Sequence, residues 1–116
     1  MSTYGGYTWE AFTVKTEDQW NLTIFRITGK EGEGSLVTEA TPVLIQHGNN
    51  NDAESWVKDS DKIGEAVWAM KLVDQGFDVW MPNNRGTPYS NSNDRDGTWT
   101  ECERWGFTYA DMGTYD

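Results

Sequence analysis

Hydrophobic and polar residues alternate along two stretches near the start of the chain. Residues 9–16 read WEAFTVKT and residues 20–28 read WNLTIFRIT, separated by the short charged stretch 17–19. Alternation with a period of two places every second side chain on one face of a strand, and two such runs joined by a short polar connection are typical of an antiparallel hairpin. The pattern predicts a β-hairpin over residues 9–28, preceded by a loosely held terminus at residues 1–8.

Two short apolar runs follow a loop that is rich in glycine and glutamate. Residues 42–46 read PVLIQ and residues 77–81 read FDVWM. Apolar runs of this length, bounded by turns, are typical of strands that are buried on both faces of a sheet. Each run opens into a polar loop, the first through His47-Gly48, and such loops at the carboxyl ends of parallel strands often carry function.

The residues between the two runs predict a helix over residues 63–75. Apolar side chains recur there at roughly helical spacing, at Ile63, Val67, Met70 and Val73. Gly76 is placed to end the helix. A strand, a helix and a strand over residues 42–86 predict a βαβ unit with parallel strands. Residues 87–116 are polar and then aromatic, and predict a loop and the start of a helix.

Composition excludes several classes of function for this chain. The chain has 116 residues, a size that fits one small α/β domain, and a formal net charge of −10. Because no basic cluster is present to neutralise phosphates, nucleic acid is not an expected partner. The single histidine, His47, and the single cysteine, Cys102, exclude an intrachain disulfide and provide no ligand spacing, so no metal site is predicted.

Four stretches, taken in order, carry a family resemblance. They are Thr16-Glu17-Asp18 with the strand after it, Leu44-Ile45-Gln46-His47-Gly48 with a seven-residue gap to Trp56, Gly76-Phe77-Asp78-Val79-Trp80 with Asn84-Arg85-Gly86, and Trp105, Phe107 and Met112-Gly113 with Tyr115-Asp116. Together they resemble the N-terminal part of the acid lipase family, the gastric and lysosomal type of α/β-hydrolase. The resemblance implies an α/β-hydrolase fold that is truncated here before the nucleophile elbow, with the catalytic Ser, Asp and His downstream.

The resemblance assigns roles to His47, Gly48 and Asn49, and the position of Arg85 after the second buried run assigns a role to that residue. The backbone N–H of Asn49 would be one donor of the oxyanion hole, although the family usually has an apolar residue at this position. His47 and Gly48 would position the loop, and Arg85 would form a buried ion pair that holds the loops, with a partner expected outside this chain. The alternatives are an asparagine-rich surface turn, a solvated arginine and a catalytic role for His47, which would need a nucleophile that the sequence does not place.

The expected function of the complete protein is therefore hydrolysis of carboxylic esters, in particular lipid esters, without a cofactor. This chain alone would be inactive, and its open sheet edge would pair with the remaining half of the hydrolase or with another chain. One alternative is a non-catalytic, lipase-derived binding or assembly subunit, and another is a small aromatic module for carbohydrate. The family suggests a secreted or lysosomal protein, whereas residues 1–10 lack the features of a signal peptide, so the compartment stays open.

Overall fold

The described residues form a mixed, six-stranded sheet with short helices. A computed structural model describes residues 2–4, 6–33, 39–58 and 68–116. The strands are β1 (Ser2–Tyr4), β2 (Tyr7–Lys15), β3 (Trp20–Lys30), β4 (Pro42–Leu44), β5 (Asp78–Pro82) and β6 (Ser92–Asn93). The helices are α1 (Trp68–Asp74), α2 (Glu101–Arg104) and α3 (Tyr109–Tyr115), with a 3₁₀ turn at Ala53–Trp56. The strand order is β1-β2-β3-β5-β4, and β6 pairs with β3.

The predicted hairpin is confirmed. Strands β2 and β3 pair antiparallel from Lys15↔Asn21 outward, with an irregularity at Thr8/Trp9. Thr16 closes the turn, because its hydroxyl accepts the backbone N–H of Trp20 at 3.0 Å and donates to the Asp18 carboxylate. This turn matters for the site described below, because it fixes the position of Asp18.

The predicted loose terminus is wrong for the residues that the structure describes there. Strand β1 pairs antiparallel with β2, from Ser2↔Trp9 to Tyr4↔Tyr7. A Gly5-Gly6 pair flanked by tyrosines is a signal for a two-residue hairpin connection, and it would have predicted this strand. Gly6 has a φ of 82°, a value that glycine adopts without strain.

The βαβ unit is also confirmed. Strands β4 and β5 pair in parallel, and α1 lies between them in the chain. Residues 59–67, which include the first part of the predicted helix, lie outside the described residues. The predicted end of the helix is correct: Gly76 has a φ of 90°, its N–H donates to the Val73 carbonyl, and the Phe77 N–H reaches back to Leu72.

The main cluster of buried apolar side chains joins the sheet to α1. Strands β3 and β5 supply Ile27, Val79 and Met81, which pack against α1 and against Ala53 of the 3₁₀ turn. The residues of α1 that face this core are Ala69, Met70 and Val73. Burial of these apolar side chains holds the βαβ unit against the hairpin.

The first apolar run is a strand, but the prediction that it is buried on both faces is wrong. Strand β4 ends the sheet, and within the described ranges β5 is its single partner. Leu44 is consequently 64% exposed. Phe12 and Val14 of β2 are also exposed, so apolar surface extends beyond the β4 edge.

The last part of the chain is more structured than the prediction of a loop and one incipient helix. Helices α2 and α3 each begin with a capping box, formed by Thr100 with Glu103 and by Thr108 with Asp111. Residues 105–108 connect the two helices. Over the ranges that the structure describes, no helix has the length and apolar character needed to cross a bilayer.

Candidate functional site

A polar loop of six residues, 47–52, leaves the β4 strand and leads into the 3₁₀ turn; we name it the asparagine loop. The Asn51 N–H donates to the Gly48 carbonyl at 3.2 Å, which closes a turn over residues 48–51. Asn50 has a φ of 60°, a left-handed value that asparagine tolerates better than most residues. The Asp52 carboxylate accepts the Glu54 N–H at 2.9 Å and caps the 3₁₀ turn. The loop therefore has a local structure of its own.

His47 is buried and joins the asparagine loop to the end of β5. Its Nε2 accepts the backbone N–H of Asn84 at 3.0 Å. Its Nδ1 lies 2.8 Å from the Gly48 carbonyl oxygen. Because Nε2 accepts a hydrogen bond, the proton is on Nδ1, which donates to Gly48. Backbone groups thus engage both ring nitrogens, an arrangement that favours loop positioning over a role as catalytic base.

Asn49 lies at the exposed tip of the asparagine loop. Its backbone N–H has no acceptor among the residues that the structure describes, whereas the N–H of Asn51 is used to close the turn. An N–H of this kind is available to a negatively charged oxygen of a bound molecule.

The segment that follows β5, residues 83–85, holds the asparagine loop from the other side. Asn83 is fully buried, and its Oδ1 accepts the Ala53 N–H at 2.8 Å, just beyond the end of the loop. Its Nδ2 donates to the Thr23 carbonyl of β3 at 2.9 Å. The Asn84 Oδ1 accepts from the Gln46 side chain at 2.9 Å, just before the loop. The apolar run of residues 77–81 predicts this strand-to-loop junction, but no sequence pattern assigns a role to either asparagine.

Arg85 forms the predicted buried ion pair, but the expectation that its partner lies outside the chain is wrong. Its side chain is 1% exposed. Its Nε and backbone N–H both donate to the Asp116 carboxylate, at 2.7 and 2.8 Å, and its Nη atoms donate to Asp18. The arginine therefore joins the hairpin turn to the end of α3.

Hydrogen bonding decides the charge state of this cluster. Burial opposes the charged guanidinium, yet the hydrogen bonds to Asp18 and Asp116 outweigh it and raise the pKa of Arg85 above its ordinary value. Burial also acts to raise the pKa of the Asp18 carboxyl, but hydrogen bonds from Arg85 and Thr16 hold that pKa below its ordinary value. Both groups are charged at neutral pH, so the ion pair is complete.

Aromatic rings surround the Arg85 guanidinium. Its carbon lies 5.6 Å from the ring centres of Trp20 and Phe107 and 5.8 Å from that of Tyr115. These rings shield the ion pair from water and strengthen it through cation–π contacts.

Three tryptophans could have formed a carbohydrate platform, but the described residues place them in separate contacts. The pairs are Trp80 with Phe12 and Arg26, Trp99 with Arg95, and Trp105 with Phe107 and Arg104. The Trp80 ring also donates its N–H to Asp78, which forms a two-point ion pair with Arg26. These contacts give each ring a packing role.

A groove of about 750 Å³ runs beside the asparagine loop. Its lining includes the loop and the 84–88 segment, which supply polar groups, and Trp105, Phe107 and Met112, which form an apolar wall. Gly86 makes this wall possible: it has a φ of 80°, and a Cβ there would lie 2.8 Å from the Trp105 ring. The described part of the chain contains no group of three or more His, Cys, Asp or Glu side chains that could hold a metal ion.

A Ser–His–Asp triad within this chain would have to use His47. Its sequence has one histidine, and the ring nitrogens of that histidine are occupied as described above. The described residues therefore offer the Asn49 N–H, among other loop N–H groups without an acceptor, and they offer no histidine with a free ring nitrogen to activate a nucleophile.

Comparison with known proteins gives a consistent result. The family model of the partial alpha/beta-hydrolase lipase region matches residues 1–60, more than half of the chain. Human gastric triacylglycerol lipase is 35% identical over 118 residues, covering 100% of this chain and 28% of the relative. Human lysosomal acid lipase/cholesteryl ester hydrolase is 33% identical over 113 residues, covering 97% of this chain and 27% of the relative. Mouse lipase member M is 35% identical over 115 residues, covering 96% and 25%. The chain thus spans about a quarter of the length of these relatives.

Proposed function

Because this chain belongs to the acid lipase family of α/β-hydrolases, we propose that it supplies the oxyanion-hole loop of a carboxylic ester hydrolase. The observation that carries the proposal is the Asn49 N–H, which lies free on a loop that is fixed to the sheet on both sides. Such a donor stabilises the oxyanion of a tetrahedral intermediate by about 3 kcal/mol. The backbone supplies the N–H, so an asparagine side chain is compatible with this role.

The remaining chemistry comes from outside this chain. A nucleophilic serine, a histidine and an acidic residue complete acyl transfer, and the residue after the serine supplies the second oxyanion donor. These groups need no cofactor. The chain alone is therefore inactive, and its match to about a quarter of the relatives' length supports this division.

The substrate is an ester with a lipid component. Two relatives carry names that state triacylglycerol and cholesteryl ester as substrates, and we extend the class, lipid ester, to the complete protein. The groove beside the asparagine loop combines amide side chains with an aromatic wall, so its polar side suits the ester and alcohol portion of a substrate.

The open edge of β4 is the place where the rest of the hydrolase pairs. Leu44 is exposed on this strand, and an unpaired apolar edge strand tends to associate with other strands. The same observation favours the alternative, a non-catalytic assembly subunit in which another chain occupies the edge. The two differ in whether a reactive serine accompanies this sequence.

A fluorophosphonate probe, which labels activated serines, separates the two functions. Protein from the native source is treated with the probe, and the species that contain peptides of this chain are identified by mass spectrometry. We expect a species much heavier than 13.2 kDa that gains one probe, while the purified 116-residue chain gains none. If the sequence occurs as a 13.2 kDa species that remains unlabelled, alone or with its co-purifying partners, the hydrolase proposal fails and the assembly function stands.

A further inference from the structure

We propose that Asn83 and Asn84 are positioning residues that fix the two ends of the asparagine loop relative to the sheet. The structural part of this inference is independent of activity, and its catalytic consequence rests on the proposed function. Neither residue belongs to the loop or offers a reactive group. Their effect would pass through the placement of the Asn49 N–H.

Asn84 holds the end at which the chain enters the loop. Its backbone N–H donates to His47 Nε2 at 3.0 Å, and its Oδ1 accepts from Gln46 Nε2 at 2.9 Å. One residue thus contacts two consecutive residues at the end of the β4 run. Its neighbour Arg85 is held by two carboxylates, so Asn84 has little freedom to follow a moving loop.

Asn83 holds the end at which the chain leaves the loop. Its Oδ1 accepts the N–H of Ala53, which is 1% exposed. The same side-chain amide donates to the Thr23 carbonyl of β3. Ser90 reinforces the link, because its hydroxyl donates to the Asn83 carbonyl at 2.8 Å and accepts the Thr23 N–H at 2.9 Å. An amide is suited to this position because it offers a donor and an acceptor together.

The loop needs these contacts because its other hydrogen bonds are local. The Gly48–Asn51 turn and the Asp52 cap give it a shape, but they do not attach it to a strand. Without the contacts from residues 83 and 84, the turn would persist and shift relative to the sheet. Displacing a catalytic group by about 1 Å can lower a rate about 10²-fold.

The Asn84 side chain allows a matched test, because Gln46 is the single hydrogen-bond partner that the described residues give it. Asn84→Ala removes the acceptor and keeps the backbone N–H that donates to His47. Asn84→Asp keeps a carboxylate oxygen at the position that accepts from Gln46. Gln46→Ala removes the same contact from the other side. Val73→Ala is the control for loss of core packing, since Val73 belongs to the same core as Ala53 but makes no hydrogen bond to the asparagine loop.

The first measurement uses the ¹⁵N-labelled 116-residue chain. In Asn84→Ala and Gln46→Ala, we expect the amide signals of residues 48–51 to shift and their heteronuclear NOE to fall, with no further change in the double variant. Asn84→Asp and Val73→Ala should leave the heteronuclear NOE of residues 48–51 unchanged. Asn83→Ala should abolish the hydrogen-exchange protection of the Ala53 amide. If the Asn83→Ala chain does not fold, the Asn84 variants test the inference. Unchanged loop signals in folded Asn84→Ala would overturn the inference.

The second measurement uses the full-length hydrolase that the fluorophosphonate probe identifies. Asn84→Ala should lower kcat about tenfold or more with KM nearly unchanged, and Gln46→Ala, which removes the same hydrogen bond from a residue outside the groove lining, should lower kcat by a similar factor. Equal kcat values in Asn84→Ala and the unmodified enzyme would overturn the inference and leave the proposed function intact. If the probe identifies no hydrolase, the proposed function fails, and the spectra of the chain still decide whether residues 83 and 84 hold the loop.

Discussion

At the scale of single residues, the candidate site depends on polar side chains that are buried at strand ends. His47, Asn83 and Arg85 are 6%, 0% and 3% exposed, and each makes at least two hydrogen bonds or ion pairs. A buried polar group that loses its partner destabilises the fold by about 1–3 kcal/mol. The hydrogen bonds that satisfy these buried groups therefore also fix the loop geometry that the proposed function needs.

Proline at residue 49 tests the oxyanion donor directly. Asn49 is the second residue of the 48–51 turn, a position at which proline is common, and its N–H makes no hydrogen bond to the described residues. In the full-length hydrolase, Asn49→Pro should lower kcat by about 10²–10³ because it removes one donor to the oxyanion. Asn49→Ala keeps the N–H and should retain activity close to that of the unmodified enzyme.

Steady-state kinetics on a soluble short-chain ester would measure this difference, and circular dichroism would confirm that both variants fold. Full activity in folded Asn49→Pro would contradict the role of this N–H.

Sequence patterns predict the roles of these residues only in part. Arg85 and His47 stand out because each ends or follows an apolar run, and the structure confirms that Arg85 forms a buried ion pair. Its partners lie 67 and 31 residues away, and the sequence contains 19 acidic residues from which no local pattern selects Asp18 and Asp116. Hydrogen bonds between distant segments require the fold first, which is also why Asn83 and Asn84 were missed.

At the scale of elements, hydrophobic periodicity predicted the hairpin and the parallel pair well. The alternation of hydrophobic and polar residues over 9–28 predicts the pairing of two strands that are neighbours in the chain, which is a local property. Burial of the strand Pro42–Leu44 is not local, because it depends on what lies at the other side of that strand. The composition of an apolar run therefore predicts a strand more reliably than it predicts which of its faces are covered.

The open edge of β4 should make the isolated chain associate. Leu44→Lys places a charge on this edge, which is how natural edge strands avoid pairing with other chains. We expect the unmodified chain to form dimers or larger species as its concentration rises, and Leu44→Lys to remain monomeric, by sedimentation velocity. Trp68→Lys is the control, since Trp68 is 72% exposed and belongs to α1, not to a strand of the sheet. Equal effects of the two variants would show that general surface hydrophobicity, and not the edge, drives association.

At the scale of the whole molecule, ion pairs connect elements that are distant in sequence. Arg85 joins the hairpin turn to the end of α3, Arg26 pairs with Asp78 between β3 and β5, and Lys15 pairs with Asp94. With a net charge of −10, most acidic groups repel one another, so the few basic side chains have a large influence on how the segments are held. The buried pairs are screened by salt much less than the exposed pair of Lys15.

Acid should therefore weaken the fold through particular carboxylates. Although burial opposes it, hydrogen bonding lowers the pKa of Asp18 below its ordinary value of 3.8 in the folded chain. A carboxyl with a lowered folded pKa stabilises the protein fully above its unfolded pKa, and this contribution is lost as pH falls through the folded pKa. The Asp18–Arg85 contact should contribute about 2 kcal/mol to the free energy of unfolding at pH 7. This contribution should diminish progressively below pH 3.8.

Urea unfolding of the unmodified chain and of Asp18→Asn, measured from pH 7 to pH 2, checks this expectation. Asp18→Asn should be less stable at pH 7, and the difference between the two proteins should shrink toward zero at the acidic end, because both then lack the charge at residue 18. Asp94→Asn provides the exposed comparison, whose smaller effect should vanish in high salt while that of Asp18→Asn persists. A stability difference for Asp18→Asn that stays constant across the pH range would show that the side chain acts through packing or uncharged hydrogen bonds, and that the ion pair with Arg85 does not hold the hairpin turn to the site.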